Sequence, residues 1–351
     1  PSAGGALYHE SNYTLGRWRF TAGLRFDFEH ARLRYRNYTD TWYTKTRIKD
    51  DAVYELQLEI DDRSTLKQTF TELLPKFSVM YSFDETRNLY LTIAKGYKSG
   101  GFNTQIFSDV LQQKMMNRMG IGEVYDVQRG VAYKPEYSWN YEIGGHFSCM
   151  EGAVRGDFAL FYIDCRDQQL TVFPPGQTTG RMMTNAGRTR SLGAEAAVQI
   201  SPWRTFDINL AYGYTDARFV RYETTVKNDD GDPVRISYKD NRIPYAPQHT
   251  LYAGASYTLR TGWNWLEYVI FRVAANGAGR IYWNEANTFS QPFYALLEAS
   301  IRFEHRHWAV DVWGRNLTDT RYDTFYFMSI GNSFLQRGRP RTFGVSLSIT
   351  L

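Results

Sequence analysis

The chain has 351 residues, 43% hydrophobic and 16% aromatic, with a formal charge of +4 and dispersed Lys and Arg, so a nucleic-acid partner is not expected. No run of about 18 apolar residues exists, which excludes a transmembrane helix. Low mean hydropathy beside 26 Tyr, 22 Phe and 9 Trp instead suits a membrane β-barrel, whose strands alternate between lipid and water and whose aromatic girdles mark the interfaces.

The opening Pro1-Ser-Ala-Gly-Gly has no Met, basic segment or apolar core of a signal peptide, so the chain reads as the middle of something longer. Period-two alternation then begins. Trp18, Phe20, Ala22, Leu24, Phe26 and Phe28 share one face of a strand, and Arg17, Arg19, Thr21, Arg25, Asp27 and Glu29 share the other. Ile208, Leu210, Tyr212 and Tyr214 oppose Asn209, Ala211, Gly213 and Thr215 in the same way. So do Phe293, Ala295, Leu297, Ala299, Ile301 and Phe303 against Tyr294, Glu298, Ser300 and Arg302. The last residues repeat the pattern, with Phe343, Val345, Leu347, Ile349 and Leu351 on one parity. The alternation predicts about thirteen strands, over 6–14, 17–37, 65–83, 88–99, 135–148, 153–173, 181–201, 204–222, 246–260, 264–285, 291–304, 307–322 and 338–351. Several are far longer than the usual strand of about 5–6 residues, which disfavours a soluble sandwich.

Connections alternate in length. Short turns fall at Leu15-Gly16, Asp84-Glu85-Thr86, Met150-Glu151-Gly152, Pro202-Trp203, Thr261-Gly262 and His305-Arg306. Longer links fall at 38–64, 100–134, 174–180, 223–245, 286–290 and 323–337. One end of short turns and one of long loops is the layout of an outer-membrane barrel. An odd strand number cannot close such a barrel with both termini on the short-turn side, so the chain is expected to be the C-terminal part of a larger barrel with an open first edge. Cys149 and Cys165 fall far apart along one hairpin, so no disulfide is expected.

The chemistry-bearing patterns are few. No GxSxG, HExxH or P-loop occurs, and no carboxylate pair sits in an apolar setting, so no catalytic residue and no cofactor are expected. Asn228-Asp-Asp-Gly-Asp232 resembles a fragment of a calcium loop but lacks the distal Glu, and a solvated turn is the simpler reading. His305 and His307 flank a tight turn and need no metal. The link 100–134 is the most function-like segment, with a short amphipathic helix expected over 106–116 and Ser108 or Asp109 near its start. Tyr97, Lys98, Phe102, Asn103 and Tyr125 fall near the long-loop end, as do Tyr282, Trp283, Asn284, Tyr326 and Arg337. Aromatic walls with a few cations suit a flat, anionic small molecule, and these residues other than Tyr125 are the candidate substrate-binding set. Gly100 and Gly101 are expected at positive φ, and Asn316 and Asp319 are expected to bond turn backbone.

Four segments carry a family resemblance: Tyr90-Leu-Thr-Ile-Ala-Lys-Gly-Tyr-Lys-Ser-Gly-Gly-Phe-Asn103, Lys134-Pro-Glu-Tyr-Ser-Trp-Asn-Tyr-Glu-Ile-Gly-Gly145, Asn185-Ala-Gly-Arg-Thr-Arg-Ser-Leu-Gly-Ala-Glu195 and Val312-Trp-Gly-Arg-Asn-Leu-Thr-Asp-Thr-Arg-Tyr322. In order and spacing they resemble the "GYKxGGFN", "KPExSxNYExG", "NAGxxxSxGxE" and "NLTDxxY" stretches of the TonB-dependent outer-membrane receptors. The resemblance covers most of the chain. It implies an all-β transmembrane antiparallel barrel of 22 strands around a plug. This chain would hold about the last thirteen, without the plug or the TonB-binding segment. Leu351 departs from the family's usual terminal aromatic. The resemblance further implies energy-coupled import of a scarce nutrient in the outer membrane of a Gram-negative bacterium, with a ferric siderophore ranked first. The implied partners are TonB, outer-membrane lipid and lipopolysaccharide, and a surface lipoprotein. Cobalamin, haem or a glycan as cargo, and a passive porin or a barrel enzyme as the class, are the alternatives.

Overall fold

A computed structural model of the chain describes all residues except 48, 50, 121–130, 173–181, 228–231, 330, 331 and 351. Thirteen strands form one antiparallel sheet in sequence order, with no crossover. They are β1 (Ser2–Leu15), β2 (Trp18–Arg47), β3 (Ala52–Ser82), β4 (Arg87–Lys98), β5 (Glu136–Cys149), β6 (Val154–Arg166), β7 (Arg188–Trp203), β8 (Phe206–Arg221), β9 (His249–Trp263), β10 (Leu266–Ala278), β11 (Tyr294–His305), β12 (Trp308–Arg315) and β13 (Thr342–Ile349). One helix, α1 (Phe107–Arg118), lies in the link after β4. Among the described residues β1 pairs only with β2, and β13 only with β12, so the sheet is open.

The alternation decides which face is which. Leu24, Phe26, Leu160, Leu210, Val312, Val345 and Leu347 are exposed large apolar side chains of one parity on their strands. The other face carries Ser78 bonded to Thr92, Tyr90 donating to Glu142, and Trp313 donating its Nε1–H to Ser346. A sheet that is apolar outside and polar inside has no central apolar core, and the buried apolar clusters among the described residues form instead where the long links pack against strand residues such as Leu66, Ala217 and Phe219. Trp18, Trp203, Trp263 and Trp265 stand exposed at the short-turn end, as an interfacial girdle requires.

Four of the six short turns fall where expected, and the other two lie about two or three residues later, at Arg204-Thr205 and Asn264-Trp265, because the strands run on to Trp203 and Trp263; left-handed residues stand at Gly16, Met150, Glu151, Gly152 and Gly262. At one of them the Asp84 carboxylate accepts from the Thr86 backbone N–H, the Thr86 hydroxyl and Arg87. Cys149 and Cys165 are both free thiols. One expectation is corrected: most of 38–64 is strand, not loop. β2 and β3 pair without a register break from Trp18 opposite Tyr81 to Arg47 opposite Ala52. Charges on the outer face, where Asp61 binds Arg36 and Arg63, do not interrupt β-structure when the opposite face is apolar or small. Strands 153–173 and 181–201 also end earlier in the sheet, at Arg166 and from Arg188. Between them Gln169–Val172 and Met182–Asn185 form a separate two-stranded ribbon.

Candidate substrate-binding rim

The rim is built where β4 leaves the sheet. Gly96 faces Ser138 across the β4–β5 pair, and a Cβ there would lie 2.5 Å from the Ser138 Oγ. The bare glycine lets the flanking Lys95 and Tyr97 approach β5. Tyr97 packs on Tyr137 with ring centroids 5.8 Å apart, and Lys95 Nζ lies 5.6 Å from the centre of the Tyr137 ring. Lys95 is ion-paired to Glu72, and both side chains are largely covered. The Tyr97 hydroxyl is buried and has no hydrogen-bond partner among the described residues. A cleft of about 540 Å³ lies beside this residue, walled by Ser99, Arg25, Asp27, Glu29 and residues 2–6. Arg25 is held by Asp27 at 2.8 Å. The Tyr97 hydroxyl is thus covered at the edge of a polar cleft, with no acceptor among the described residues to claim it. Lys98 ends β4 opposite Glu136 and stays exposed.

Beyond Lys98 the chain turns through Gly100 and Gly101. Neither has the expected positive φ. They are needed for close approach: a Cβ on Gly100 would fall 2.5 Å from the Tyr133 carbonyl oxygen, and one on Gly101 equally near the Tyr133 hydroxyl. Gly101–Phe102 then pairs with Ala132–Tyr133. Asn103 is nearly buried, and its side chain makes both bonds to one residue of the neighbouring link. Its Nδ2 donates to the Met183 carbonyl at 2.8 Å, and its Oδ1 accepts from the Met183 N–H at 2.7 Å. Asn103→Ala should leave that N–H unpaired at a cost of about 1–3 kcal/mol to the packing of this link. Faster protease cleavage within 100–120, with the barrel still resistant, is the expected readout.

A single 3₁₀ turn, Thr104–Ile106, leads into α1, which runs close to the predicted 106–116 with Ser108 and Asp109 in its first turn. Val110 and Val131 are fully buried, with Ile106 and Leu66 beside them, and Leu33, Tyr35, Phe102 and Phe107 pack around this group. Tyr35 and Phe107 rings meet at 4.7 Å. Asn37 donates to the Phe107 carbonyl, and Lys114 is ion-paired with Asp62. The β2–β3 hairpin thus stands as a rigid wall on which the helix is fixed.

The second candidate group gathers around Tyr245. Ile281, Trp283 and Tyr326 form a buried cluster. The Tyr245 ring lies 5.3 Å from Trp283, and its hydroxyl donates to the Tyr326 carbonyl at 2.9 Å. Phe289 stacks on Tyr326 at 4.6 Å. Asn284 closes its own loop, accepting from the Thr288 N–H and donating to the Thr288 hydroxyl. Tyr282 pairs with Ser290 and keeps part of its surface. Arg337 is exposed and ion-paired to Asp323 at 2.9 Å. The predicted residues therefore divide into two separate groups, one around β4 and α1 and one around the loops after β10 and β12. Sequence reading missed Lys95, Glu72, Tyr137 and Tyr245, whose roles come from cross-strand and loop-to-loop contacts with no periodic signature. Tyr125, the link 174–180 and Asn228–Gly231 lie outside the described residues.

Burial at this second group raises the carboxyl of Glu285 above its ordinary value and the Tyr245 phenol to about 12, with the carboxylate of Glu285 adding to the latter. A raised acid favours the protonated folded form. The loop cluster is therefore most secure below the ordinary carboxylate pKa and weakens as pH rises through the raised value. Amide exchange of residues 281–289, corrected for intrinsic rate, should show stronger protection near pH 4 than near pH 7. Glu285→Gln should remove that difference.

Similarity to known proteins extends over most of the sheet. A sequence model of the family described as "TonB dependent receptor-like, beta-barrel" matches residues 2–317. A pesticin receptor of Yersinia enterocolitica is 27% identical over 286 residues, covering 81% of this chain and 37% of the relative. The chain thus spans well under half the length of that relative. Among solved structures, the ferric yersiniabactin uptake receptor of Yersinia pestis superposes with a TM-score of 0.72 at 21% identity, over 99% of this chain and 45% of that one. The siderophore receptor PiuA of Acinetobacter baumannii superposes with a TM-score of 0.67 at 16% identity, over 99% of this chain and 42% of that one. Thirteen ordered antiparallel strands, an apolar outer face, a polar inner one and the match over residues 2–317 together show that the chain belongs to the TonB-dependent receptor β-barrel family.

Proposed function

We propose that the protein containing this chain imports a ferric siderophore across the outer membrane, with energy delivered by TonB to an N-terminal region beyond these residues. The observation that carries this reading is the match of nearly the entire sheet to receptors named for pesticin, ferric yersiniabactin and a siderophore. The rim supports the cargo class. Across its two groups it carries aromatic rings at Tyr97, Tyr137 and Tyr282, the exposed cation Lys98, and Lys95 and Arg337 poised in ion pairs with Glu72 and Asp323. These groups suit stacking on, and charge pairing with, a rigid anionic chelate.

The thirteen strands act as the C-terminal portion of a larger closed barrel. An open edge such as β1 leaves backbone N–H and C=O groups without partners in lipid, where each costs several kcal/mol. Further strands pairing with β1 and β13 relieve that cost. No covalent chemistry is assigned to the protein.

The test is direct binding by the full-length protein. A panel of ferric hydroxamate, catecholate and phenolate siderophores, haem and cobalamin is titrated in detergent by tryptophan quenching. Submicromolar affinity for at least one ferric siderophore is expected, weakened by Tyr97→Ala with Lys98→Ala. Binding of haem or cobalamin alone, or of nothing in the panel, refutes the iron-chelate reading.

A further inference from the structure

Strand parity puts an arginine cluster on the outer face of the sheet, where like charges crowd one another on three adjacent strands. On β6, Phe158, Leu160 and Tyr162 share the outer face with Asp164 and Arg166. On β7, Leu192 shares it with Arg190 and Arg188, and on β8, Leu210 and Tyr212 share it with Asp216 and Arg218. The register aligns them in rows. Tyr162, Leu192 and Asp216 are opposite one another; so are Asp164, Arg190 and Arg218 one step higher, and Arg166 lies opposite Arg188 above those.

Height follows from the same strands. From the short-turn Trp203 to Leu192, β7 climbs about 36 Å at roughly 3.3 Å per residue, or about 28 Å at a tilt near 40°. That matches the apolar band of such barrels with its girdles. Tyr141 and Tyr162, with rings 6.2 Å apart, mark the upper girdle. The arginine rows begin immediately above it, at the level of the outer-leaflet headgroups.

The cluster's own carboxylates do not neutralise it. Asp164 accepts from Arg188 at 2.7 Å, and Asp216 is shared by Arg218 at 2.9 Å and Arg242 at 2.8 Å. Arg166 and Arg190 make no ion pair among the described residues. Cross-strand arginines side by side repel, so an unneutralised cluster of this kind is destabilising on its own.

We infer that Arg166, Arg188, Arg190 and Arg218 form a binding site for the phosphate groups of a lipopolysaccharide molecule in the surrounding outer leaflet. Planar guanidinium groups at that height match a bisphosphorylated glucosamine headgroup, whose acyl chains then lie along Leu160, Leu192 and Leu210. The site is on the outer wall, and its existence is independent of the cargo carried inside.

The experiment uses the full-length protein in detergent and three probes: bisphosphorylated lipid A, its fully dephosphorylated form, and inorganic phosphate as competitor. Arg166→Gln combined with Arg190→Gln leaves the internal ion pairs intact, and heat-resistant mobility on gels verifies that the barrel is folded. Binding of bisphosphorylated lipid A should fall at least tenfold in the double variant, at roughly fivefold or more per cation. Arg166→Lys with Arg190→Lys should retain most of it. The dephosphorylated lipid should bind the parent protein at least tenfold more weakly, and millimolar phosphate should not displace lipid A. Equal affinity of the folded double variant and the parent overturns the site. Equal binding of both lipids, or ready displacement by phosphate, overturns the lipid headgroup as its occupant. Arg204→Gln with Arg306→Gln, at the short turns, should leave lipid A binding unchanged, and an equal loss there would reduce the effect to general charge and overturn the site as well.

Discussion

Val345→Arg is expected to keep most of the full-length protein from reaching its heat-resistant folded form, whereas Ser346→Arg leaves assembly close to normal. The two positions are neighbours on β13 and differ only in the face they occupy. Val345 is 68% exposed on the apolar side, opposite Val312. Ser346 accepts from Trp313 on the polar side and lines an inner groove with Arg272, Asp311 and Arg315. Arginine facing lipid near the midplane costs about 2–4 kcal/mol, while arginine in a wet lumen costs little and here gains Asp311 as a neighbour. Urea titration of folded and unfolded bands for both variants checks this. Equal assembly of the two would mean that the faces are assigned the wrong way round or that neither meets lipid.

A comparably large effect is expected from Val110→Asp. Val110 is fully buried between α1 and the β2–β3 hairpin, and a carboxylate there has no partner in the cluster of Leu66, Ile106 and Val131. Burying it costs more than the helix gains from docking, so α1 should detach while the sheet, which does not depend on this cluster, remains inserted. External protease should then cut within 104–118 on intact cells, and high-affinity ligand binding should weaken at least tenfold. Val110→Ala, which only trims two methyl groups, should cost about 1–3 kcal/mol and leave the segment largely resistant. Protease resistance of both variants equal to the parent would show that the helix is held by something other than this cluster.

The contrast between these sites marks what sequence could and could not reveal. Parity located the strand faces because every sheet residue must choose lipid or lumen, and a one-residue slip reverses all of them. Turn residues such as Asn316 were legible for a local reason. Its side chain bonds the Thr320 N–H and carbonyl at φ 50°, a job few residue types can do. The extension of β2 and β3 through 38–64 was missed because outward charges there mimic a loop, although Thr39, Thr41 and Tyr43 face Ile60, Leu58 and Leu56 in strand register. Gly100 and Gly101 were expected to serve φ, but their need comes from Tyr133, a residue on the far side of the link. Asn103 and Trp283 fall in the long links left over by the alternation, but the tether of Asn103 to Met183 and the burial of Trp283 beside Ile281 arise from loop-to-loop packing that no periodicity encodes.

The most direct test of transport is uptake of radiolabelled iron by intact, iron-starved cells whose only ferric-siderophore receptor is the full-length protein. Saturable accumulation of the siderophore that binds the purified protein is predicted, falling to background when TonB is deleted or the proton-motive force is collapsed. Accumulation that continues without energy and rises linearly with solute concentration would contradict the account and identify a passive pore.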